Sequence, residues 1–131
     1  MLYKKKTKGV GKGWKKYDLP ILDETQWAYF AGIFDGEGSI AFLTSKNGYK
    51  IPRIDISNVN LELIETLQQL LKTGNIYKMT LVKNRQQCYH FYIQQHKAIY
   101  LILSKFLPYL IVKRSKTIET LNFIKDKEVL S

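Results

Sequence analysis

The sequence predicts an α+β fold in which four antiparallel strands form one sheet and helices cover one of its faces. Three observations lead to it. Two pairs of β-prone runs, "SIAFLTS" with "YKIPRIDIS" and "NIYKMTLV" with "QCYHFYIQ", each flank a short turn-forming stretch. A segment with apolar residues at helical spacing precedes each pair, and two more such segments close the chain. No motif recurs along the 131 residues, and a hydrophobic content of 45% suits one domain with one core.

Residues 1–17 set Gly9, Gly11 and Gly13 among lysines and read as a flexible basic arm, which leaves 18–131 as the folded domain. Asp23 to Gln26 has the pattern of a capping box. Trp27, Phe30, Ala31 and Phe34 then share one helical face, and the helix is expected to stop near Asp35, where Gly36 and Gly38 release the backbone. Asn47-Gly48 between two β-prone runs predicts a hairpin. Pro52 weakens its strand and suggests an edge or a bulge. Asn60 is placed to cap a second helix carrying Leu61, Ile64, Leu67 and Leu71, with Gly74 as its stop. A second hairpin turns around residues 83–86. A third helix carries Ile99, Ile102, Leu103 and Phe106 up to Pro108, and Ser115 is placed to cap a last one carrying Ile118, Leu121 and Ile124.

Charge is unevenly spread. Seven of the 21 basic residues (Lys4, Lys5, Lys6, Lys8, Lys12, Lys15 and Lys16) precede the first acid, Asp18. A basic arm on a mildly basic body favours a polyanion, most simply nucleic acid; the alternative is a tail that only keeps the protein soluble. Cys88 has no cysteine in the chain to pair with, which points to a reducing compartment. No apolar run reaches the roughly 18 residues of a membrane span, and no apolar segment follows the basic start as in a secretory signal. The expectation is an intracellular protein of cytoplasm, nucleoid or organelle matrix, with no membrane partner. His90 and His96 form no metal-ligand pattern with Cys88.

The stretch "FAGIFDGEGSI", residues 30–40, carries the chemistry. Ala28, Gly32 and Gly36 are spaced four apart, a stripe of small residues that lets another backbone approach closely. The economical partner is the same helix of a second copy across a two-fold axis; the alternative is close packing on the chain's own sheet. Asp35 and Glu37 add negative charge at a helix C-terminus, where carbonyls are already unpaired. That combination suits a hard divalent cation such as magnesium. On a two-fold axis two such sites would lie side by side, as in paired-metal phosphodiester cleavage.

"FAGIFDGEGSI" resembles the signature of the LAGLIDADG homing endonucleases, departing at Phe30, Phe34 and Glu37 with apolar character and charge kept. The resemblance covers roughly residues 24 to 124, and one motif per chain resembles the homodimeric subclass. It implies an αββαββα fold with a saddle-shaped sheet. It also implies divalent-metal-dependent cleavage of a long, nearly palindromic double-stranded DNA target, in a protein encoded within an intron or intein. Glu37 would bind the catalytic metal with help from the Gly36 carbonyl, and Asp35 would be structural. Asn58 in "DISNVN" stands where the family has a polar residue, often Gln, that organises water, and is one methylene shorter. Lys113 in "LPYLIVKRSK" matches the family's late lysine, which would stabilise phosphate charge or help activate water. The implied cofactor is Mg2+, two or three ions per dimer, with Mn2+ substituting and Ca2+ binding without cleavage. Two further readings of the same scaffold are an intron maturase that binds RNA and a DNA-binding regulator without cleavage.

An antiparallel ribbon fits the major groove. The expected reading face includes Ala41, Leu43 and Ser45, then Ile51, Arg53 and Asp55, continued by Lys78, Thr80 and Tyr89 or His90. Lys50 and Arg114 add basic contacts, and Arg53 is the leading candidate for a guanine. Leu43 and Ile51 could instead be core, because a slip of one residue reverses every facing. A dimer of chains with a radius of gyration near ~14 Å covers on the order of 20 base pairs.

Overall fold

The computed structural model describes residues 16–79 and 86–130, with side chains through residue 127. The elements are α1 (Glu24–Glu37), β1 (Gly38–Thr44), β2 (Lys50–Asn58), α2 (Leu61–Leu71), β3 (Asn75–Lys78), β4 (Tyr89–Ile93), α3 (His96–Phe106), a 3-10 turn (Leu107–Tyr109) and α4 (Arg114–Leu130). No helix among the described residues is long and apolar enough to cross a membrane.

Helix α1 opens on a complete capping box: Gln26 N–H donates to Asp23 Oδ1 at 2.8 Å, and Asp23 N–H donates to Gln26 Oε1 at 3.1 Å. Trp27, Phe30, Ala31 and Phe34 are its buried face. The helix does not stop at Asp35 but runs through Gly36 to Glu37. Gly38 follows with an ordinary extended backbone, φ −91°. It is glycine for space: a Cβ there would lie 2.3 Å from Phe34 Cδ1 and 2.8 Å from the Phe34 carbonyl oxygen.

The first hairpin closes through residues 46–48, with Gly48 at φ +85° and Ser45 N–H donating to the Tyr49 carbonyl at 2.8 Å. Asn60 caps α2 by accepting from Leu63 N–H at 2.9 Å. The helix ends at Lys72, in the left-handed region at φ 57°, two residues before the expected stop. Gly74 has a different reason, since its Cβ would meet Phe91 Cε1 at 2.4 Å with φ at +94°.

The sheet order is β1-β2-β4-β3, and every neighbouring pair is antiparallel. Pro52 therefore lies in a central strand, contrary to the edge expected of it. The β2–β4 ladder begins only at Ile54, so β2 has just one neighbour at Pro52 and the missing N–H is tolerated. Ile40, Phe42, Pro52, Ile54, Ile56, Ile76, Phe91 and Ile93 share the face that the helices cover. The other face is open.

Helix α3 buries Ile99, Ile102, Leu103 and Phe106 as expected. Helix α4 starts at Arg114, so Ser115 lies inside its first turn instead of capping it. Its buried face is Thr117, Thr120 and Ile124, while Ile118 is 43% exposed. The Thr120 hydroxyl is satisfied locally by donating to the Lys116 carbonyl at 2.8 Å, whereas the buried Thr117 hydroxyl has no hydrogen-bond partner among the described residues. The folded body also reaches further back than residue 18. Tyr17 is buried, and its hydroxyl donates to the Leu71 carbonyl at 2.7 Å, so the last residue assigned to the arm is core.

Candidate active site

The last turn of α1 brings its two acids into different surroundings. Asp35 points at the chain leading into α4: its Oδ2 accepts from Ile111 N–H at 2.9 Å and Val112 N–H at 3.2 Å, and its Oδ1 from Lys113 N–H at 2.9 Å. Burial works against its charge, but these three N–H groups and the Lys113 ammonium outweigh it and hold the carboxyl below the usual carboxylate range. Lys113 returns to the same residue, with Nζ donating to the Asp35 backbone carbonyl at 2.7 Å. The ammonium thus sits on the negative end of α1, one residue before the Gly36 carbonyl.

Glu37, the final helical residue, is exposed. Asn58 Nδ2 donates to its Oε1 at 2.5 Å, while Asn58 Oδ1 accepts from Asn60 N–H at 2.8 Å. The amide is therefore fixed at one end by the cap of α2 and orients the carboxylate at the other. Glu37, Asn58, Asp35 and Lys113 all gather within one turn around Gly36. A Cβ on Gly32 or on Gly36 would meet nothing within 4 Å, so the small stripe faces away from the chain's own sheet. Ala28, the first member of the stripe, is half-buried.

Glu37 supplies a hard oxygen donor beside a helix-terminal carbonyl, and this donor set fits a divalent cation that keeps most of its waters. Among the described residues no three His, Cys, Asp or Glu side chains converge. A single chain thus offers one carboxylate and one carbonyl at this point.

On the open face of the sheet, Arg53 Nε donates to Asp55 Oδ2 at 3.1 Å and Nη2 to Oδ1 at 3.4 Å, and the guanidinium lies 4.0 Å from the Tyr92 ring centroid. Burial disfavours the Arg53 charge, but Asp55, and then the Tyr77 hydroxyl, more than offset it. His90 is stacked on Tyr77, with centroids 4.9 Å apart and planes 10° apart.

A family model of the LAGLIDADG-like domain matches residues 24–119. The chain belongs to this family.

Solved structures agree with the LAGLIDADG fold. The homing endonuclease I-CvuI, in complex with its target in the presence of calcium, is 20% identical over 78% of this chain and 67% of its own, with a TM-score of 0.65. I-CvuI has also been solved with a second target in the presence of magnesium. The archaeal intron-encoded homing endonuclease I-Vdi141I, complexed with DNA, is 19% identical over 78% of this chain and 68% of its own, at TM-score 0.64. I-TnaI, another homing endonuclease, is 18% identical over 82% of this chain and 75% of its own, at 0.64. A search of curated proteins returns no match.

Within this LAGLIDADG domain the register sorts the expected reading residues. Ala41, Leu43, Ile51, Arg53, Asp55 and His90 lie on the open face, so Leu43 and Ile51 are not core. Lys50, paired with Thr44, and Lys78, paired with Tyr89, have the opposite parity and belong to the helix side. Tyr89 packs against the core. Ser45 is engaged in the hairpin turn, where its Oγ accepts from Tyr49 N–H at 3.1 Å. Arg114 is exposed, and its Nε donates to the Leu110 carbonyl at 3.2 Å. Thr80 lies outside the described residues, as does the arm before Lys16. The register also brings to the open face Tyr77 and Tyr92, together with Ser39, Ser57 and Asn75, none of which the sequence reading named. Only strand pairing separates Tyr92 from Tyr89, since β4 carries a tyrosine at either parity, and only the β3–β4 register sets the facing of Tyr77, the one tyrosine of β3.

Proposed function

We propose that this chain is one subunit of a homodimeric, divalent-metal-dependent endonuclease that cuts a long, pseudo-palindromic double-stranded DNA site. The observation that carries the reading is Glu37 at the end of α1, oriented by Asn58 and bordered by a stripe of glycines open to a second copy. Glu37 and the Gly36 carbonyl would hold the ion, for which Mg2+ is the expected choice, and two chains would bring two such donor sets together at the axis. The bound ion would supply Lewis acidity to phosphate oxygens and lower the pKa of a bound water. Asn58 keeps the Glu37 carboxylate in one orientation, so that the site needs little rearrangement on loading. Lys113, held at the Asp35 carbonyl, places a positive charge beside the position where phosphate charge develops. Asp35 fixes the backbone that carries Lys113.

DNA binding is assigned to the open face, with Arg53 as the guanine reader and the basic arm following phosphates beyond the sheet. The test is cleavage of duplexes carrying candidate intron or intein insertion sites, with Mg2+ present. Glu37→Gln keeps the shape and removes the charge, so cutting is expected to vanish while site-selective binding remains. Cutting by this variant at near-normal rates would remove Glu37 from the chemistry. Lys113→Met is expected to lower the cleavage rate by more than it lowers affinity, because only one charge among many is lost. Wild-type protein that binds a site selectively but never cuts would be a regulator instead.

A further inference from the structure

The Arg53 side chain has a second feature that concerns how it becomes available to DNA. Asp55 Oδ2 takes the better of the two bonds from Arg53, at 3.1 Å, and Oδ1 takes a long one from Nη2, at 3.4 Å. A charge-assisted bond of this type is ordinarily about 2.7–2.9 Å, so Oδ1 is weakly held. A second cation-forming group, His90, has its Nδ1 3.9 Å from that same oxygen. His90 Nδ1 is buried and has no hydrogen-bond partner among the described residues. The ring is stacked flat on Tyr77, which holds its nitrogen toward the carboxylate. Arg53 for its part rests on the Tyr92 ring at 4.0 Å and keeps a support that does not depend on Oδ1.

We infer that Asp55 is an exchange point between Arg53 and His90: when the imidazole takes up a proton, Oδ1 turns to it, and the Nη2 edge of Arg53 is released to a guanine. The proton comes from solvent and resides on Nδ1; no covalent bond changes. Binding of DNA is thereby coupled to protonation of His90, and Asp55 and His90 set specificity through Arg53 without touching a base. The groups facing His90 are Asp55 and Arg53 from β2, Tyr77 from β3 and Tyr92 from its own strand β4; the helices lie on the other face. This inference rests on the DNA-cleaving reading above.

The experiment uses the full-length protein and a duplex that it enriches from a randomised pool. Calorimetry in two buffers of different ionisation enthalpy counts protons taken up on binding. Wild type is expected to take up as much as one proton per chain and to bind roughly tenfold more tightly at about pH 6 than at about pH 8. His90→Phe, which keeps the stack on Tyr77 but cannot be protonated, and His90→Gln are both expected to lose the uptake and the pH dependence. Replacing guanines one at a time by 7-deazaguanine, which lacks the N7 acceptor, is expected to reveal one position costing wild type about tenfold at the lower pH. The cost at that position should shrink at the higher pH, and should be absent in Arg53→Met, which has no donor for guanine, at both. Unchanged proton uptake in folded His90→Phe and His90→Gln overturns the exchange. If neither variant folds, Asp55→Asn carries the same measurement, with loss of uptake supporting the exchange and retention overturning it. Enrichment of a duplex without proton uptake by wild type overturns the exchange alone. Failure to enrich any sequence overturns the endonuclease reading together with it.

Discussion

Asp35 and Glu37 are two residues apart, yet their carboxylates meet opposite chemistry. Asp35 accepts three peptide N–H groups from residues 111–113, so its charge serves to lock the approach to α4. Glu37 meets one side-chain amide and is otherwise exposed, the condition expected of a group that binds an ion. The distinction has a measurable consequence in stability. Asp35→Asn keeps one acceptor oxygen but loses the charge, and is expected to cost about 1–2 kcal/mol, with the partial exposure of the site keeping it from the upper end for charged hydrogen bonds. Because the folded carboxyl is held below its ordinary value of 3.8, its contribution is fully present above about pH 4. It is lost as pH falls through the lower folded value, so wild type and Asp35→Asn should converge in acid. Denaturant titrations of both proteins at pH 7 and near pH 3 check this, and a gap that stays constant would contradict it. Lys113 should also be misplaced in the variant, which would slow cleavage.

At the level of elements, α1 uses its glycines for two unrelated purposes. Gly38 makes room for the ring and carbonyl of Phe34 inside the chain, whereas Gly32 and Gly36 leave space outside it. Gly38→Ala must therefore shift backbone and is expected to destabilise the chain by about 1–3 kcal/mol, read as a lower Tm. A Cβ at Gly32 meets nothing within 4 Å among the described residues, so a Gly32→Leu subunit is expected to fold but to sediment as a monomer and not to cut DNA. An active dimer of Gly32→Leu would refute close approach of the two helices. In the strands, side-chain parity decides which residues can read DNA. Charge by itself nominates Lys50 and Lys78, but the β1–β2 and β3–β4 registers turn both to the helix side and bring Tyr77 and Tyr92 to the open side.

For the whole molecule, the boundary between arm and body has a physical marker in Tyr17, whose ring is core and whose hydroxyl ties the chain to the end of α2. Gln95 Nε2 also donates to the Lys16 carbonyl, at 3.3 Å. A truncation meant to test the arm should therefore begin at Lys16, since removing Tyr17 would open the core. Deleting residues 1–15 takes away six lysines. The slope of log affinity against log salt is expected to fall by at most about 5 per chain, and by less if only some of them reach phosphates. The preferred site and cut positions should not change, because base reading is assigned to the sheet. A salt titration with cleavage mapping checks both halves of this expectation, and a changed cut site would place sequence reading in the arm.

What the sequence by itself determined is what short stretches can encode. The Asp23–Gln26 capping box, the Asn60 cap, the Gly48 turn and the apolar faces of α1 and α3 depend on neighbours within a few residues, and each is present where the pattern put it. The LAGLIDADG motif belongs to the same class, because its acids and glycines follow one another along one helix. Tertiary structure decided the rest. Strand side chains alternate with a period of two, so composition cannot tell one face from the other until a partner strand sets the register. The rotation of α4, which buries Thr117 and Thr120 in place of Ile118, was likewise hidden, because threonine looks polar. Only the fold shows the Thr120 hydroxyl bonded to a local carbonyl and the Thr117 hydroxyl buried without a hydrogen-bond partner among the described residues. The grip of Asp35 on residues 111–113 joins positions some 76 to 78 apart in the chain. No local pattern announces such a contact: backbone N–H groups are the same at every residue, and only the fold selects the three that meet this carboxylate.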